Sequence, residues 1–309
     1  MKIGFLFAGQ GAQKVGMGKE LYDQYALAAS VYDGMQLDYD VKKLCFEGPA
    51  DMLNDTAYAQ SAILTTSLAI ASVISSYGIT PDYVAGLSLG EYSALAYAGA
   101  MSYQDAATIT RKRGQLMANA LPAGTTGMAA VLNLDATLIQ EVCDEISAQG
   151  ELCQIANYNC PGQIVITGTT KAMELASEAL VEKGARRVIP LQVSGAFHSS
   201  LLKEAGSKLR SVLQQVELGS PNLPVVYNIS GKEEQADLVD ILEKQIQSSV
   251  YFTQSIEYMI AQGVTTFIEI GPGSTLKGFV RKISRDVNVY SVEDQASLEA
   301  MIKEVKANE

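Results

Sequence analysis

Short apolar runs alternate with longer helical stretches along most of the chain. The runs IGFLF at 3–7, YVAGL at 83–87 and TTFIEI at 265–270 have the length and composition of buried strands. Between the first two, SAILTTSLAIASVISSYG at 61–78 is almost entirely apolar and predicts a buried helix that Gly78 closes. Alternating strands and helices of this kind predict an α/β fold built on a mostly parallel sheet.

The segment 126–190 follows a different order. It reads as strand, helix, strand, strand, helix, strand, which is the split β-α-β order of a ferredoxin-like α+β unit. The earlier alternation then resumes, so we expect this subdomain to be inserted into a large α/β hydrolase-like core made of 1–125 and 191–309. A cleft between the two units is the natural place for a substrate.

Composition and charge disfavour several classes of protein. With 48% hydrophobic and 18% charged residues, the 309-residue chain is typical of soluble globular proteins. The formal charge of -11 disfavours a nucleic-acid partner, because binding to phosphates needs clustered Lys and Arg. The opening MKIGFLFAGQGAQ lacks a secretory-signal pattern, and no run reaches the roughly 18 apolar residues of a membrane span. We therefore expect a cytoplasmic protein with no membrane partner.

Residues that commonly bind metals are scarce. The cysteines Cys45, Cys143, Cys153 and Cys160 show no paired close spacing, and the only histidine, His198, cannot complete a Cys/His zinc set with them. We predict reduced, structural cysteines and no bound metal.

The sequence GLSLG at 86–90 is the first candidate for chemistry. It follows a predicted strand and precedes the helical EYSALAYAG, which is the strand, sharp turn, helix setting of a nucleophile elbow. Such a turn would expose Ser88 Oγ at a helix N-terminus, where free N–H groups such as that of Leu89 favour a developing negative charge. Matches of this length also occur by chance, and the serine would then only cap the helix.

A serine nucleophile needs a positioned base, and His198 is the only histidine available. It ends an apolar run in VSGAFHSS, which is typical of an element entering a cleft, although alone it would fit a helix cap or a surface site. Together with the elbow it predicts a nucleophile-base pair of Ser88 and His198. No acid has a distinctive setting, because Asp135 and Asp144 fall in the inserted segment, so a backbone carbonyl could orient the imidazole.

Six sequence blocks extend this interpretation to nearly the whole chain. In order, they are FAGQG at 7–11, GLSLGEYSAL at 86–95, RKRGQLM at 111–117, NYNCPGQ at 157–163, SGAFHS at 194–199 and IEIGPG at 268–273. In this order they resemble the malonyl-CoA:acyl carrier protein transacylase family, which also carries a ferredoxin-like insert. The resemblance implies an enzyme that moves malonyl from malonyl-CoA to acyl carrier protein through a serine ester. It also implies no metal or redox cofactor, since the coenzyme A thioester is a substrate.

The resemblance further implies an oxyanion hole formed by the backbone N–H groups of Gln10 and Leu89. The chain departs from the family at two positions. Leu87 stands where the family usually has histidine, and Ala8 stands where it commonly has proline. Neither departure removes an expected catalytic group, but Leu87 leaves His198 as the sole imidazole.

By the same resemblance, Arg113 matches the arginine that binds the malonyl carboxylate. A planar guanidinium suits this role because it makes two charge-assisted hydrogen bonds to a carboxylate, where lysine makes a point contact. From the helical pattern alone, Arg113 with Arg111 and Lys112 would instead be a solvated basic face.

Three further positions match the family's substrate pocket. Phe197 falls where the family distinguishes malonyl from branched acyl groups, and its bulky ring predicts malonyl rather than methylmalonyl. Gln60 and Met117 match lining positions, although Met117 lies four residues after Arg113 and could equally be a core residue of that helix.

Acyl carrier proteins are acidic as a family, so docking onto this acidic chain needs a local basic patch. The predicted helix STLKGFVRKISR places Lys277 and Arg281 on one face. A solvated basic stripe explains the same pattern, and Arg186 and Arg187 on the insert are competing candidates.

Two other functions remain open from the sequence. A serine hydrolase or thioesterase shares the elbow and the base but has no use for a carboxylate-binding arginine. A catalytically silent regulatory protein that binds malonyl-CoA would keep the fold and leave Ser88 unacylated. The carrier, from fatty-acid or polyketide synthesis, and the oligomeric state also stay open, and family analogy suggests the segment near Ser249 and Val250 for the carbonyl that orients His198.

Overall fold

The computed structural model describes residues 1–193 and 195–307. The strands are β1 (Ile3–Phe7), β2 (Tyr83–Gly86), β3 (Thr126–Leu132), β4 (Cys153–Cys160), β5 (Gln163–Thr169), β6 (Arg187–Pro190), β7 (Val225–Val226), β8 (Thr266–Ile270) and β9 (Asn288–Val292). The α-helices are α1 (Lys19–Gln24), α2 (Ala26–Gly34), α3 (Val41–Glu47), α4 (Ala50–Asn54), α5 (Thr56–Ser76), α6 (Gly90–Tyr97), α7 (Tyr103–Ala118), α8 (Ala136–Ser147), α9 (Thr170–Glu182), α10 (Lys203–Leu213), α11 (Leu238–Gln245), α12 (Phe252–Ala261), α13 (Thr275–Ile283) and α14 (Gln295–Ala307). A 3₁₀ turn at Ser200–Leu202 precedes α10.

A five-stranded parallel sheet forms the centre of the large unit, in the order β7-β2-β1-β8-β9. The two strands β1 and β8 lie in its middle and are buried at every residue. Strands covered on both faces read as continuous apolar runs, which explains why they were visible in the sequence. The parallel sheet confirms the predicted α/β class, and the carboxyl ends of β1, β2 and β7 meet along one edge.

Helix α5 packs within this unit and is the longest helix of the described residues. By length and composition alone it could cross a membrane, but 89% of its most apolar window is buried inside the protein. Each buried side chain of Leu or Ile size is stabilised by about 1.5–3 kcal/mol relative to exposure, so this helix anchors the core. Its burial is therefore that of an internal core helix.

The segment between β3 and β6 forms a second sheet. Its elements run β3-α8-β4-β5-α9-β6, and the four strands pair antiparallel in the order β4-β5-β3-β6. Side chains from α8, α9 and these strands form a separate apolar cluster. We propose 126–190 as the limits of this small subdomain and 1–125 with 191–309 as the large core.

The segment after α11 joins the small sheet to the large unit. Val250 accepts a hydrogen bond from Tyr158 N–H at 2.9 Å and donates one to the Ala156 carbonyl at 2.8 Å, both on β4. The hydroxyl of Ser249 donates to the Ile155 carbonyl at 2.6 Å. A strand of the small unit is therefore hydrogen-bonded directly to the large one.

Candidate active site

Ser88 sits on a sharp turn between β2 and α6. Its φ of 53° lies in the left-handed region, which is strained for a residue other than glycine. A Cβ on Gly86 would lie 2.0 Å from the carbonyl carbon of Gly90, and one on Gly90 would lie 2.1 Å from the Phe7 carbonyl oxygen. Both positions require glycine, because the backbone of the turn packs directly against its own following residues and against the end of β1, which leaves no space for a Cβ. The predicted elbow is therefore a real turn, and it presents Ser88 at the start of a helix.

His198 faces this serine. Its Nε2 lies 2.7 Å from Ser88 Oγ, and its Nδ1 lies 2.9 Å from the Gln245 carbonyl oxygen. A carbonyl only accepts, so Nδ1 carries the proton and Nε2 is free to accept one from Ser88. Burial, reinforced by the positive charge of Arg113, lowers the pKa of His198 to about 4. The imidazole is therefore neutral at pH 7, as a general base must be.

The carbonyl that orients the imidazole belongs to Gln245, the last residue of α11. The final carbonyls of a helix have no partner within the helix, and His198 uses two of the free groups at this end. Its ring bonds the Gln245 carbonyl, and its backbone N–H bonds the Ile246 carbonyl at 3.1 Å. The expectation that placed this carbonyl near Ser249 and Val250 is therefore a few residues too late: the backbone of Ser248 also favours the charged imidazole, but Ser249 and Val250 themselves bond to β4.

The acids considered from the sequence serve as local helix contacts. Asp135 accepts a hydrogen bond from Thr137 N–H and caps α8. Asp144 accepts one from the Gln140 side chain on the same helix. Neither contacts His198, so a backbone carbonyl takes the place that an aspartate holds in a Ser-His-Asp triad.

Gln10 and Leu89 line the same cavity as Ser88. Gln10 lies in the loop after β1, and its side chain donates to Thr56 Oγ1 at 2.9 Å. A Cβ on the neighbouring Gly9 would lie 2.7 Å from the Leu87 carbonyl oxygen, so the first loop touches the elbow directly. Within the part of the chain that the structure describes, neither Gln10 N–H nor Leu89 N–H donates a hydrogen bond. Both amides are available to a developing oxyanion.

Arg113 is fully buried on α7. Its Nη2 donates to Ser88 Oγ at 3.1 Å and to Gln245 Oε1 at 2.9 Å, and its Nη1 donates to Gln60 Oε1 at 2.7 Å. The guanidinium also lies over the Tyr92 ring, at 5.1 Å from its centroid. A buried cation beside the serine is suited to binding a carboxylate.

The rest of the basic cluster on α7 behaves differently. Arg111 forms an ion pair with Asp38, with Nε 2.7 Å from Oδ1, and lies over the Tyr58 ring at 4.0 Å. Lys112 is exposed. The solvated-face interpretation therefore holds for Lys112 but not for Arg113.

One cavity of about 500 Å³ brings the predicted groups together. Its lining includes all eight predicted catalytic, oxyanion-hole and substrate-binding residues, namely Gln10, Gln60, Ser88, Leu89, Arg113, Met117, Phe197 and His198. Gln60 Nε2 lies 3.5 Å from Met117 Sδ, and Met117 also belongs to the main apolar core. Both sequence interpretations of Met117 therefore hold. A second groove, of about 560 Å³ between α7 and α10, contains none of these residues.

Comparison with known proteins supports the family that the sequence blocks suggest. A family model described as acyl transferase domain matches residues 4–309. The chain belongs to the acyl transferase family. A malonyl CoA-acyl carrier protein transacylase of Bacillus subtilis (strain 168) is 49% identical over 309 residues, which cover 99% of this chain and 98% of the relative. The family resemblance inferred from the sequence blocks is confirmed.

Solved structures share the fold of this acyl transferase. A malonyl CoA-acyl carrier protein transacylase from Clostridium perfringens Atcc 13124 superposes with a TM-score of 0.97 at 41% identity, covering 99% of this chain and 98% of that chain. A malonyl-transacylase in complex with a type II PKS acyl-carrier protein superposes with a TM-score of 0.94 at 37% identity, covering 98% and 100%.

Sequence reasoning missed three buried polar residues of this acyl transferase, Glu91, Asn228 and Gln245. Gln245 Nε2 donates to the Ser88 carbonyl at 2.7 Å, in addition to its contacts with Arg113 and His198. Asn228 lies just after β7, at the same sheet edge as the elbow, and Glu91 lies on the first turn of α6. A polar residue two positions after a parallel strand was the only signal for Asn228, because carboxyl ends of neighbouring strands meet at one edge.

The predicted docking residues lie on α13, whose Thr275 and Phe279 line the cavity. Arg281 is exposed and Lys277 is partly exposed. Buried Glu269 accepts hydrogen bonds from the N–H groups of Leu276 and Lys277, which fixes the start of this helix. Within residues 1–193 and 195–307, no cluster of His, Cys, Asp and Glu is arranged to hold a metal ion.

Proposed function

We propose that this acyl transferase moves a malonyl group from malonyl-CoA to the phosphopantetheine thiol of acyl carrier protein, by a ping-pong mechanism through an ester on Ser88. The observation that carries the proposal is a neutral imidazole 2.7 Å from Ser88 Oγ, with the buried Arg113 cation 3.1 Å from the same oxygen. The serine and histidine supply acyl transfer, and the arginine selects an acyl group that ends in a carboxylate. The named activity of the 49% identical relative supports the same substrates.

In the first half-reaction, His198 Nε2 takes the Ser88 proton while Oγ attacks the malonyl thioester carbon. The amides of Gln10 and Leu89 hold the oxyanion. The intermediate collapses, the C–S bond breaks, and the coenzyme A sulfur leaves with the proton from His198. Arg113 shifts its bonds from Ser88 to the malonyl carboxylate, which fixes the acyl group for attack.

In the second half-reaction, the phosphopantetheine thiol replaces coenzyme A. It loses its proton to His198 and attacks the ester carbon, and Ser88 leaves as the hydroxyl after recovering that proton. These steps need no metal or redox cofactor. We propose a cytoplasmic setting, malonyl-ACP for fatty-acid synthesis as the product, and neither nucleic acid nor membrane as a partner.

Intact-mass analysis tests the proposal. On mixing with malonyl-CoA, we expect one malonyl group per chain, located on the peptide that contains Ser88, and its removal when holo acyl carrier protein is added. Steady release of free malonate without carrier protein would instead identify a hydrolase. A chain that stays unmodified at saturating malonyl-CoA would point to a silent binding protein.

Carrier-protein docking onto α13 gives a separate prediction. Arg281→Glu is expected to raise the KM for acyl carrier protein about tenfold, because like charges across an interface weaken binding and slow association. Lys303→Glu, an equal charge change at an exposed site on α14, serves as the matched control. Malonyl-ester formation should be unaffected in both variants. An unchanged KM in Arg281→Glu would move the docking surface away from Lys277 and Arg281, to Arg186 and Arg187 as the next candidates.

A further inference from the structure

We propose that Asn228 and Glu91 are positioning residues that hold Ser88 in its reactive geometry, a role that rests on the nucleophile assigned under the proposed function. Neither residue lines the cavity, and neither contacts the reacting oxygen. They act through the backbone of the elbow.

Asn228 bonds the elbow at two points. Its Oδ1 accepts from Ser88 N–H at 2.7 Å, and its Nδ2 donates to the Gly86 carbonyl at 2.7 Å. The Asn228 side chain therefore bonds backbone groups of the two residues on either side of Leu87. Asn228 is 1% exposed, so water does not compete for these bonds.

These two bonds oppose the strain at the serine. A left-handed residue other than glycine costs on the order of 1–3 kcal/mol and persists only where its surroundings enforce it. The side chain of Gln245, whose Nε2 lies 3.4 Å from Asn228 Oδ1, holds the Ser88 carbonyl, so the peptide groups before and after the serine are both fixed. Because Ser88 N–H is occupied, Leu89 N–H is the elbow amide left for the oxyanion.

Glu91 fixes Asn228 in turn. Its Oε2 accepts from Asn228 N–H, and its other carboxyl oxygen has no hydrogen-bond partner among the described residues. Glu91 is fully buried on the first turn of α6, the helix that the elbow begins. Asn228 thus links helix α6, through Glu91, to the elbow after β2.

A fluorophosphonate probe tests this positioning without an acyl substrate. Ser88 Oγ attacks phosphorus, fluoride leaves, and His198 takes the serine proton, so the labelling rate reports the nucleophile and the oxyanion hole alone. We expect Asn228→Ala to label about 100-fold more slowly, the size of effect that misplacing a reacting group by about 1 Å produces. Its kcat with malonyl-CoA should fall similarly, with the KM within about twofold.

Conservative variants separate positioning from mere support of the fold. Asn228→Asp keeps the acceptor for Ser88 N–H but cannot donate to the Gly86 carbonyl, so we expect a loss of about tenfold. Glu91→Gln keeps an oxygen for Asn228 N–H and should label within about threefold of the parent chain, whereas Glu91→Leu should resemble Asn228→Ala. Ser93→Ala, buried on the same helix, is the matched control and should leave labelling unchanged.

The proposal is overturned if Asn228→Ala folds, judged by its thermal midpoint and near-UV circular dichroism, and labels within about threefold of the parent chain. If that variant does not fold, parent-like labelling of Asn228→Asp together with Glu91→Leu overturns it instead. A parent chain that labels but takes no malonyl from malonyl-CoA contradicts the proposed function and leaves the positioning experiment intact.

Discussion

Replacing His198 with alanine is expected to slow malonyl-ester formation by about 10²–10⁴-fold, the range that a positioned general base contributes. The chain has no second histidine, and the elbow residue before Ser88 is the apolar Leu87. No neighbouring base can therefore substitute. Quenched-flow mixing with malonyl-CoA, followed by intact-mass analysis, measures the rate directly.

The pH dependence follows from the same group. The pKa of His198 is lowered to about 4, and the base works in its neutral form, so activity is retained above that value and lost as pH falls through it. We expect a flat acylation rate from about pH 9 to about pH 5 and a tenfold fall per pH unit below about pH 4. Ser88→Ala should form no ester at any pH. An acylation rate that instead increases between pH 6 and pH 7 would contradict a buried, neutral imidazole.

Replacing Arg113 with alanine should lower kcat/KM for malonyl-CoA by about 10²–10⁴-fold. Each hydrogen bond to a charged group contributes about 1.5–3 kcal/mol, and the guanidinium would offer two to the malonyl carboxylate. Acetyl-CoA has no carboxylate, so its relative rate should rise. Competition between the two thioesters, read as the masses of the acyl-enzymes, measures the change.

Arg113 also bonds Gln60 and Gln245, so its loss disturbs the cavity itself. Acetyl-CoA separates the loss of the carboxylate contact from the disturbance of the cavity. A disturbed cavity alone would slow the reaction of acetyl-CoA and of malonyl-CoA equally. Arg113→Lys is the matched variant, since it keeps the charge and loses the two-point geometry, and it should recover part of the malonyl rate. An acyl preference that stays the same in both variants would place the carboxylate elsewhere.

The predictability of the site from sequence differed from residue to residue. Ser88 could be predicted from the local GLSLG pattern and His198 from being the only histidine, and the structure places their side chains in contact. Arg113 needed the family resemblance, because a basic helical cluster cannot show from its pattern which members are buried or which of them faces the serine. Gln245 carried no usable signal and Asn228 only its place shortly after a strand, since each reaches the elbow from more than 100 residues away through the tertiary fold.

The fold was predictable for a related reason. Buried parallel strands are continuous apolar runs, so β1, β2 and β8 stood out, whereas β7 has only two residues and is an edge strand. Its importance comes from its position, because it delivers Asn228 to the carboxyl edge of the sheet. The hydrophobic pattern of the sequence predicts which strands are buried, but it does not predict which loops are in contact with each other.

The peptide from Gln245 to Val250 belongs to both units at once. At one end it sets the direction of the His198 ring, and at the other it continues the sheet of the small subdomain through Val250. A rotation of the small subdomain about this peptide would change where the imidazole lone pair points. We therefore expect the contacts of this junction to be kept while the acyl donor binds, because proton transfer to His198 depends on them.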